Sequence, residues 1–242
     1  MKELIARNLG LISPDVQEKI GRARILFVGC GLGSQIAVLA VRTGFCQFEL
    51  WDGDRVKVNN LNRQAFTQSD IGLNKAEVTA RLVKNVNPKV TVEVHSRFLL
   101  NYKEIVAAVK KTDFVVNMAD PNEAIWTISE VARAEGKVEF HPLNLGWTGY
   151  CLILTSTAPS LKEIVGGKIC GLEFYPRFVE ATLGEISISK SIGDLDRILS
   201  GEIPWPQLGI TTYLTSALVT EGMVRWLAGD VTLPVAPKPL RK

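Results

Sequence analysis

Between residues 24 and 120 the chain collects residue types that suit one chemistry. An apolar run, Arg24 to Val28, leads into Gly29-Cys30-Gly31-Leu32-Gly33-Ser34. Then come Trp51-Asp52-Gly53-Asp54, Asn60-Leu61-Asn62-Arg63-Gln64, Lys75 and Asp120. Glycines in such a loop let backbone N–H groups approach a phosphate at a helix N-terminus. Asp52, closing a strand, can accept from ribose hydroxyls. Arg63 and Lys75 can hold β- and γ-phosphates, and a carboxylate such as Asp120 can hold Mg²⁺. Together these residues describe a nucleoside triphosphate site.

A dinucleotide site shares the loop and the acid, so the choice rests on the rest of the set. The dinucleotide fingerprint is G-x-G-x-x-G or A, and here Ser34 stands three places after Gly31 and breaks it. A pyrophosphate on a helix N-terminus needs no further clamp. A triphosphate cleaved between its α- and β-phosphates needs positive charge on the departing pyrophosphate. An NAD-dependent oxidoreductase therefore remains the alternative that leaves Arg63, Gln64 and Lys75 without a role.

The elements that must position these residues read as alternating strands and helices. Ser13-Pro14-Asp15 looks like an N-cap, a first-turn proline and a first-turn acid, opening a helix that Gly21 ends. Strand 24–28, helix 34–43 and strand 48–51 make a β-α-β unit. Helix 72–86, strand 90–94, helix 102–110 and strand 113–118 continue it. A helix through Ala134 follows, then strands 138–145 and 149–156, close enough in sequence to pair antiparallel. Segment 157–206 is broken by Pro159, Gly166, Gly167, Pro176, Pro204 and Pro206 and reads as a long crossover with at most short elements. A closing helix spans 209–228, and the tail from Asp230, with three prolines, is expected to run extended along the surface. The expected class is α/β: a Rossmann-like, mostly parallel sheet with helices on both faces, antiparallel strands towards the C-terminal end and a long crossover segment. We read 1–242 as one domain: an N-terminal helical segment 1–23, a nucleotide-binding core 24–156, the crossover 157–206, and the closing helix and tail 207–242.

Composition narrows the partners. A formal charge of +3 in 242 residues is too small to argue for nucleic acid or an anionic membrane. No apolar run reaches membrane-spanning length, and the first residues lack the apolar centre of a signal peptide, so a cytoplasmic location is expected. The four cysteines, Cys30, Cys46, Cys151 and Cys170, form no Cys-x-x-Cys pair, so no structural zinc is expected. Cys46 and Cys151 read as small buried hydrophobes. His95 and His141 fall at or within strands and read as structural. Asp120-Pro121 also fits an N-cap and first-turn pair.

With these residues in hand, the chain resembles the E1-like adenylating enzymes, the superfamily of sulfur-carrier activators and ubiquitin-activating enzymes. The resemblance covers residues 7 to about 156 and, more loosely, 209–228, and is carried chiefly by Asn60-Leu61-Asn62-Arg63-Gln64 and Lys75 after the Asp52-Gly53-Asp54 turn. It implies that Asn60, Arg63, Gln64 and Lys75 bind ATP together with Gly29, Gly31, Gly33 and the Asp52–Asp54 turn. It also implies that Asp120 binds Mg²⁺, and that Arg7, in Arg7-Asn8, reaches the γ-phosphate across a homodimer interface. The implied activity is adenylation of a carboxylate with release of pyrophosphate. The implied substrate is the C-terminus of a small carrier or ubiquitin-like protein, or of a peptide. Three departures stand out. Asn117 replaces a frequent further acid, the family's zinc-binding cysteine pairs are missing, and counting back from Glu221 puts Ser200 or Gly201 where some members carry a cysteine. Cys170 is the substitute candidate in the same crossover. A non-catalytic partner of a fuller activating enzyme is the other alternative, against which Arg63, Lys75 and Asp120 in one chain argue.

Overall fold

Pro14–Arg22 forms the first helix, α1, in a computed structural model that describes residues 3–183 and 194–241. Pro14 sits in the first turn, where its missing N–H removes no bond, and Val16 and Ile20 face the core. The helix runs through Gly21 to Arg22, because packing of Ile20 outweighs the modest cost of one helical glycine. Ser13 holds the expected N-cap position, but its hydroxyl donates to Asp15 Oδ1 instead of accepting from a first-turn N–H.

Seven strands form one sheet: β1 (Arg24–Val28), β2 (Gln47–Trp51), β3 (Thr91–His95), β4 (Phe114–Asn117), β5 (Val138–Leu145), β6 (Thr148–Leu154) and β7 (Leu240–Arg241). Their order is β3-β2-β1-β4-β5-β6-β7. The pairings from β3 through to β5 are parallel, and β5–β6 and β6–β7 are antiparallel. The mixed, mostly parallel sheet is therefore as expected. β1 reads as a continuous apolar run because both its faces are covered. Ile25 and Phe27 pack on one side with α2 (Gly31–Thr43), α3 (Lys75–Val86) and the closing helix Gly209–Leu227. Leu26 and Val28 pack on the other with α4 (Tyr102–Lys110) and α5 (Glu123–Ala134). The chain leaves β1 towards β2 and later returns to β4 on the other side. The carboxyl ends of β1 and β4 therefore border the crevice where ligands bind in sheets of this kind.

Two stretches depart from the sequence reading. The crossover is more regular than its prolines and glycines suggest. It holds α6 (Leu161–Val165), a three-turn helix α7 (Phe174–Leu183) and a short helix Leu195–Leu199, while 184–193 lie outside the described residues. Pro176 lies within the first turn of α7, where it breaks no intrahelical bond. The tail is not a surface appendage. Leu233, Ala236 and Leu240 are buried, Ala236 N–H donates to Ile153 O at 2.8 Å, and Leu240 pairs with Cys151. The outer edge of β6 offers these groups partners that water would otherwise supply.

Candidate functional site

The glycine loop lies at the crevice between β1 and β4. Gly29 adopts φ +99°, its N–H donates to Trp51 O at 2.8 Å, and a Cβ there would stand 2.8 Å from Met118 O. Only glycine fits that turn. Gly31 opens α2, with the Gln64 amide 3.1 Å from where its Cβ would be. The first-turn N–H groups of α2, including those of Gly31 and Gly33, have no intrahelical acceptor and face the crevice end of the helix. Ser34, which broke the dinucleotide fingerprint, has a structural task here. Its buried hydroxyl donates to Gly31 O and accepts from Ala65 N–H at 3.1 Å, tying the Asn60–Gln64 segment to the loop.

Asp52 is 5% exposed, and both its oxygens accept backbone N–H bonds: Cys30 N at 2.6 Å and Asp54 N at 2.8 Å. Burial raises its pKa from the ordinary carboxylate value, opposed by these N–H bonds and by the Lys75 charge. Lys75, the first residue of α3, is nearly buried and reaches Asp54 Oδ2 at 2.7 Å. The residue that holds this arrangement escaped the sequence reading. Asn74 Oδ1 caps α3 by accepting from Ala76 and Glu77 N–H, while its Nδ2 donates to Asp52 O and Asp54 O at 2.8 and 3.2 Å. The predicted helix start at 72 shifts accordingly to Lys75; an asparagine directly before a helical run was the signal available.

Arg63 bonds Asn59 O at 2.7 Å and Asn62 Oδ1 at 2.9 Å through Nη1, and Gln207 Oε1 at 2.5 Å through Nε. Nη2 has no partner among the described residues. Partial burial lowers its pKa from the usual arginine value, which leaves a guanidinium charged at neutral pH. Asn60 turns inward, its Oδ1 accepting from Lys57 N–H and shaping the turn that presents Arg63 and Gln64. Gln64 Oε1 is buried without a partner among the described residues. The closing helix presses on this segment, since a Cβ on Gly209 would meet Asn62 O at 2.7 Å.

Asp120 follows β4 and is exposed at the crevice. It is not the N-cap expected from Asp120-Pro121: Asn122 caps α5 by accepting from Ala124 N–H, so the Asp120 carboxylate has no capping task. Asn117 donates to Ile125 O and to Glu139 Oε1 and supports this turn. Tyr175 of α7 lies close enough that burial and the Asp120 charge push its hydroxyl pKa up to about 12.

Two cavities flank these residues, and Ala119 lines both. One, of about 180 Å³, includes Gly29, Asp52, Asp54, Phe98 and Asp120. The other, of about 240 Å³, runs from Arg63 and Gln64 beneath Phe174, Phe178 and Trp205 to His141 and Leu143. His141 Nε2 meets Glu139 Oε1 at 2.8 Å, and Glu139 also accepts from Ser129 and Asn117, so a satisfied buried network carries a histidine at the cavity wall. The sequence reading named His141 only as a structural residue.

Arg7 does not join these residues within its own chain. Asn8 donates to Gln17 Oε1 and to Thr43 O, fastening the N-terminal segment at the far end of α2. That helix, 13 residues long, spans about 20 Å at 1.5 Å per residue. None of the four cysteines is in a disulfide: Cys30, Cys46 and Cys151 are buried, and Cys170 is exposed. Burial pushes the Cys30 thiol well up, and Lys168 pairs with Glu130. His95 stacks on Trp51 with ring centres 3.7 Å apart. Among the described residues, no helix is long and apolar enough to cross a membrane.

Residues 5–233 match the model of the family described as the ThiF family. Ubiquitin-like modifier-activating enzyme 5 of Xenopus laevis is 31% identical over 144 residues, covering 54% of this chain and 36% of that protein. The sulfur carrier protein adenylyltransferase of Thermus thermophilus is 30% identical over 128 residues, covering 52% and 47%. The chain thus spans half or less of the length of these relatives. Among solved structures, E. coli MccB with ATP aligns with a TM-score of 0.67 at 16% identity, over 88% of this chain and 58% of that one. PaaA aligns with 0.68 at 18% identity, over 93% and 62%. These two likenesses establish the fold.

Proposed function

The chain belongs to the ThiF family, and from that membership we propose that it is an ATP-dependent adenylyltransferase. It activates the C-terminal carboxylate of a small carrier or ubiquitin-like protein, or of a peptide, as an acyl-adenylate. The observation that carries the reading is the convergence on one glycine loop of the Asp52–Lys75 turn, Arg63 and Asp120, with two cavities that share the wall at Ala119. The smaller cavity suits a nucleoside, with Asp52 facing the ribose and Gly29, Gly31 and Gly33 keeping side chains away from the phosphates. Asp54 holds Lys75, Asn60 shapes the turn that carries Arg63, and Gln64 overlies the loop. An oxidoreductase gives no role to Arg63, Gln64 or Lys75.

Asp120 fits Mg²⁺, which takes one or two carboxylates and keeps waters and phosphate oxygens for its remaining positions. Its carboxylate is exposed and has no capping role. Bound there, Mg²⁺ would neutralise phosphate charge. The chain's own residues do the rest. An acyl carboxylate, ionised at neutral pH and needing no base, attacks the α-phosphorus in line. The new bond joins acyl oxygen to phosphorus, and the bond from phosphorus to the bridging oxygen breaks, its electron pair leaving with pyrophosphate. Arg63 and Lys75 stabilise that departing charge.

Isothermal titration with Mg²⁺–ATP and ATP–pyrophosphate exchange test the reading. Arg63→Ala and Lys75→Ala should each slow exchange by roughly 10²-fold or more while keeping the fold, as loss of a transition-state donor does. Two folded variants that exchange at the wild-type rate would show the assignment to be wrong.

A further inference from the structure

The larger cavity bears on which carboxylates can be activated. Resting on the adenylyltransferase reading, we propose that the acyl substrate is a peptide or protein C-terminus whose last residue carries a side chain, and that a diglycine end is a poor substrate. Ala119 lines both cavities, so a nucleotide held in the smaller one lies beside an acyl group seated in the larger one.

Its depth is not built for pyrophosphate. Beyond Arg63 and Gln64 the walls combine the apolar Ile125, Leu143, Phe174 and Phe178 with the polar Asn117, His141 and Asn144 and hold no further Lys or Arg to face phosphate charge, and burying such charge without a cation is strongly unfavourable. The volume, about 240 Å³, falls just below the range of roughly 300–1,000 Å³ that encloses drug-sized ligands. That is room for a residue with a body rather than for a thread of two glycines. The walls are also set rigidly. Phe174 and Phe178 stack with centroids 5.6 Å apart, Trp126 meets Phe174 edge-on, and Tyr175 packs against Trp205.

Polar groups among the lining residues add direction. Trp205 Nε1 and Gln64 Oε1, one donor and one acceptor, are both buried without a hydrogen-bond partner among the described residues. His141, 4% exposed and fixed through Nε2 by Glu139, presents the rest of its ring to the same space. An occupant with an apolar body and its own polar atoms near the backbone satisfies both sets. A last residue without a side chain leaves the apolar depth empty.

One missing methylene in an apolar pocket is worth about 10–200-fold in specificity, so a whole side chain should be worth at least about 10-fold. The test is ATP–pyrophosphate exchange with hexapeptides of one common sequence that end in Gly-Gly, Gly-Leu, Gly-Phe, Gly-Asn or Gly-Glu, with ATP binding measured in parallel by titration. At least one side-chain-bearing peptide should exceed the Gly-Gly peptide by about 10-fold or more. Phe178→Trp, which fills the depth, should shrink that ratio without changing ATP affinity; should that variant not fold, the wild-type ratio decides alone. Exchange with the Gly-Gly peptide equal to or faster than all the others overturns the proposal and leaves the adenylation reading standing. ATP binding without exchange by any peptide also overturns it. Failure to bind ATP at all overturns both.

Discussion

Replacing Asn74 separates the two tasks of one side chain. Its Oδ1 caps α3, and its Nδ2 holds the turn that carries Asp52 and Asp54. Asp54 O also receives the Lys75 N–H and keeps a partner when Asn74 is lost, whereas Asp52 O has no other among the described residues. Asn74→Ser retains a capping oxygen but loses the Nδ2 amide that reaches Asp52 O, and the shorter hydroxyl does not replace it, so its cost is that of one buried carbonyl left unpaired, about 1–3 kcal/mol. Asn74→Ala loses the cap as well, a further 1 kcal/mol or so. The alanine variant should therefore lose about 3 kcal/mol, which in a chain of this size lowers Tm by roughly 6–12 °C. Because the same turn sets the Asp52 carboxylate and Lys75, both variants should weaken Mg²⁺–ATP binding by roughly tenfold, equivalent to about 1.4 kcal/mol. Urea unfolding followed by circular dichroism gives the stability, and titration calorimetry the affinity. If Asn74→Ser unfolds at the wild-type midpoint and binds ATP with the wild-type Kd, the turn is not held by this amide and the account of the site built on it fails.

Other outcomes follow from single contacts. We expect a homodimer in which Arg7 completes the partner's site: mixing inactive Arg7→Ala chains with inactive Lys75→Ala chains should restore up to half the activity per mixed dimer, and subunit exchange without recovery would exclude the shared site. Cys170→Ser should leave ATP–pyrophosphate exchange unchanged, since no step up to the acyl-adenylate uses a thiol; a fall in exchange would place Cys170 in the first step. Asp230 is held at about 2 by the Thr232 hydroxyl and then by Arg225. A depressed carboxylate pKa stabilises the fold above its unfolded value of 3.8, and that contribution is lost as pH falls through about 2. Urea midpoints of the wild type and Asp230→Asn should thus differ at about pH 5 and converge near pH 2, and a constant difference across that range would contradict the assignment.

The parts of the site that were legible in the sequence are those whose residue type is dictated by one local need. Gly29 must take a left-handed turn against Met118, and Asp52 ends a strand beside it. What escaped was set by tertiary contact or masked by composition. Asn74 could have been read as the cap of α3, but its hold on the Asp52–Asp54 turn shows only when β2 and α3 are brought together. Pro176 looked like a breaker, yet a proline in a first turn is harmless, and so the aromatic helix that roofs the larger cavity was missed. Ser160-x-x-Glu163 is a capping box that the sequence reading passed over, and the start of α6 with it. Asp120 was ambiguous because an N-cap and a ligand draw on the same residue type; the structure assigns the cap to Asn122 two places on. Neither Asn117 nor His141 carried a sequence signal for its role, since both depend on Glu139, a buried acid in the middle of a strand.

The pairing of β7 on β6 makes the proline-bearing tail a guard against self-association. Without it, β6 would present bare hydrogen-bonding groups from Tyr150 to Ile153 beside the apolar surface that Leu240 and Ala236 now cover. An open edge of that kind recruits strands from other copies. A chain nicked near Gly229 would therefore reveal itself first as oligomers, with the crevice at the opposite side of β4 still formed.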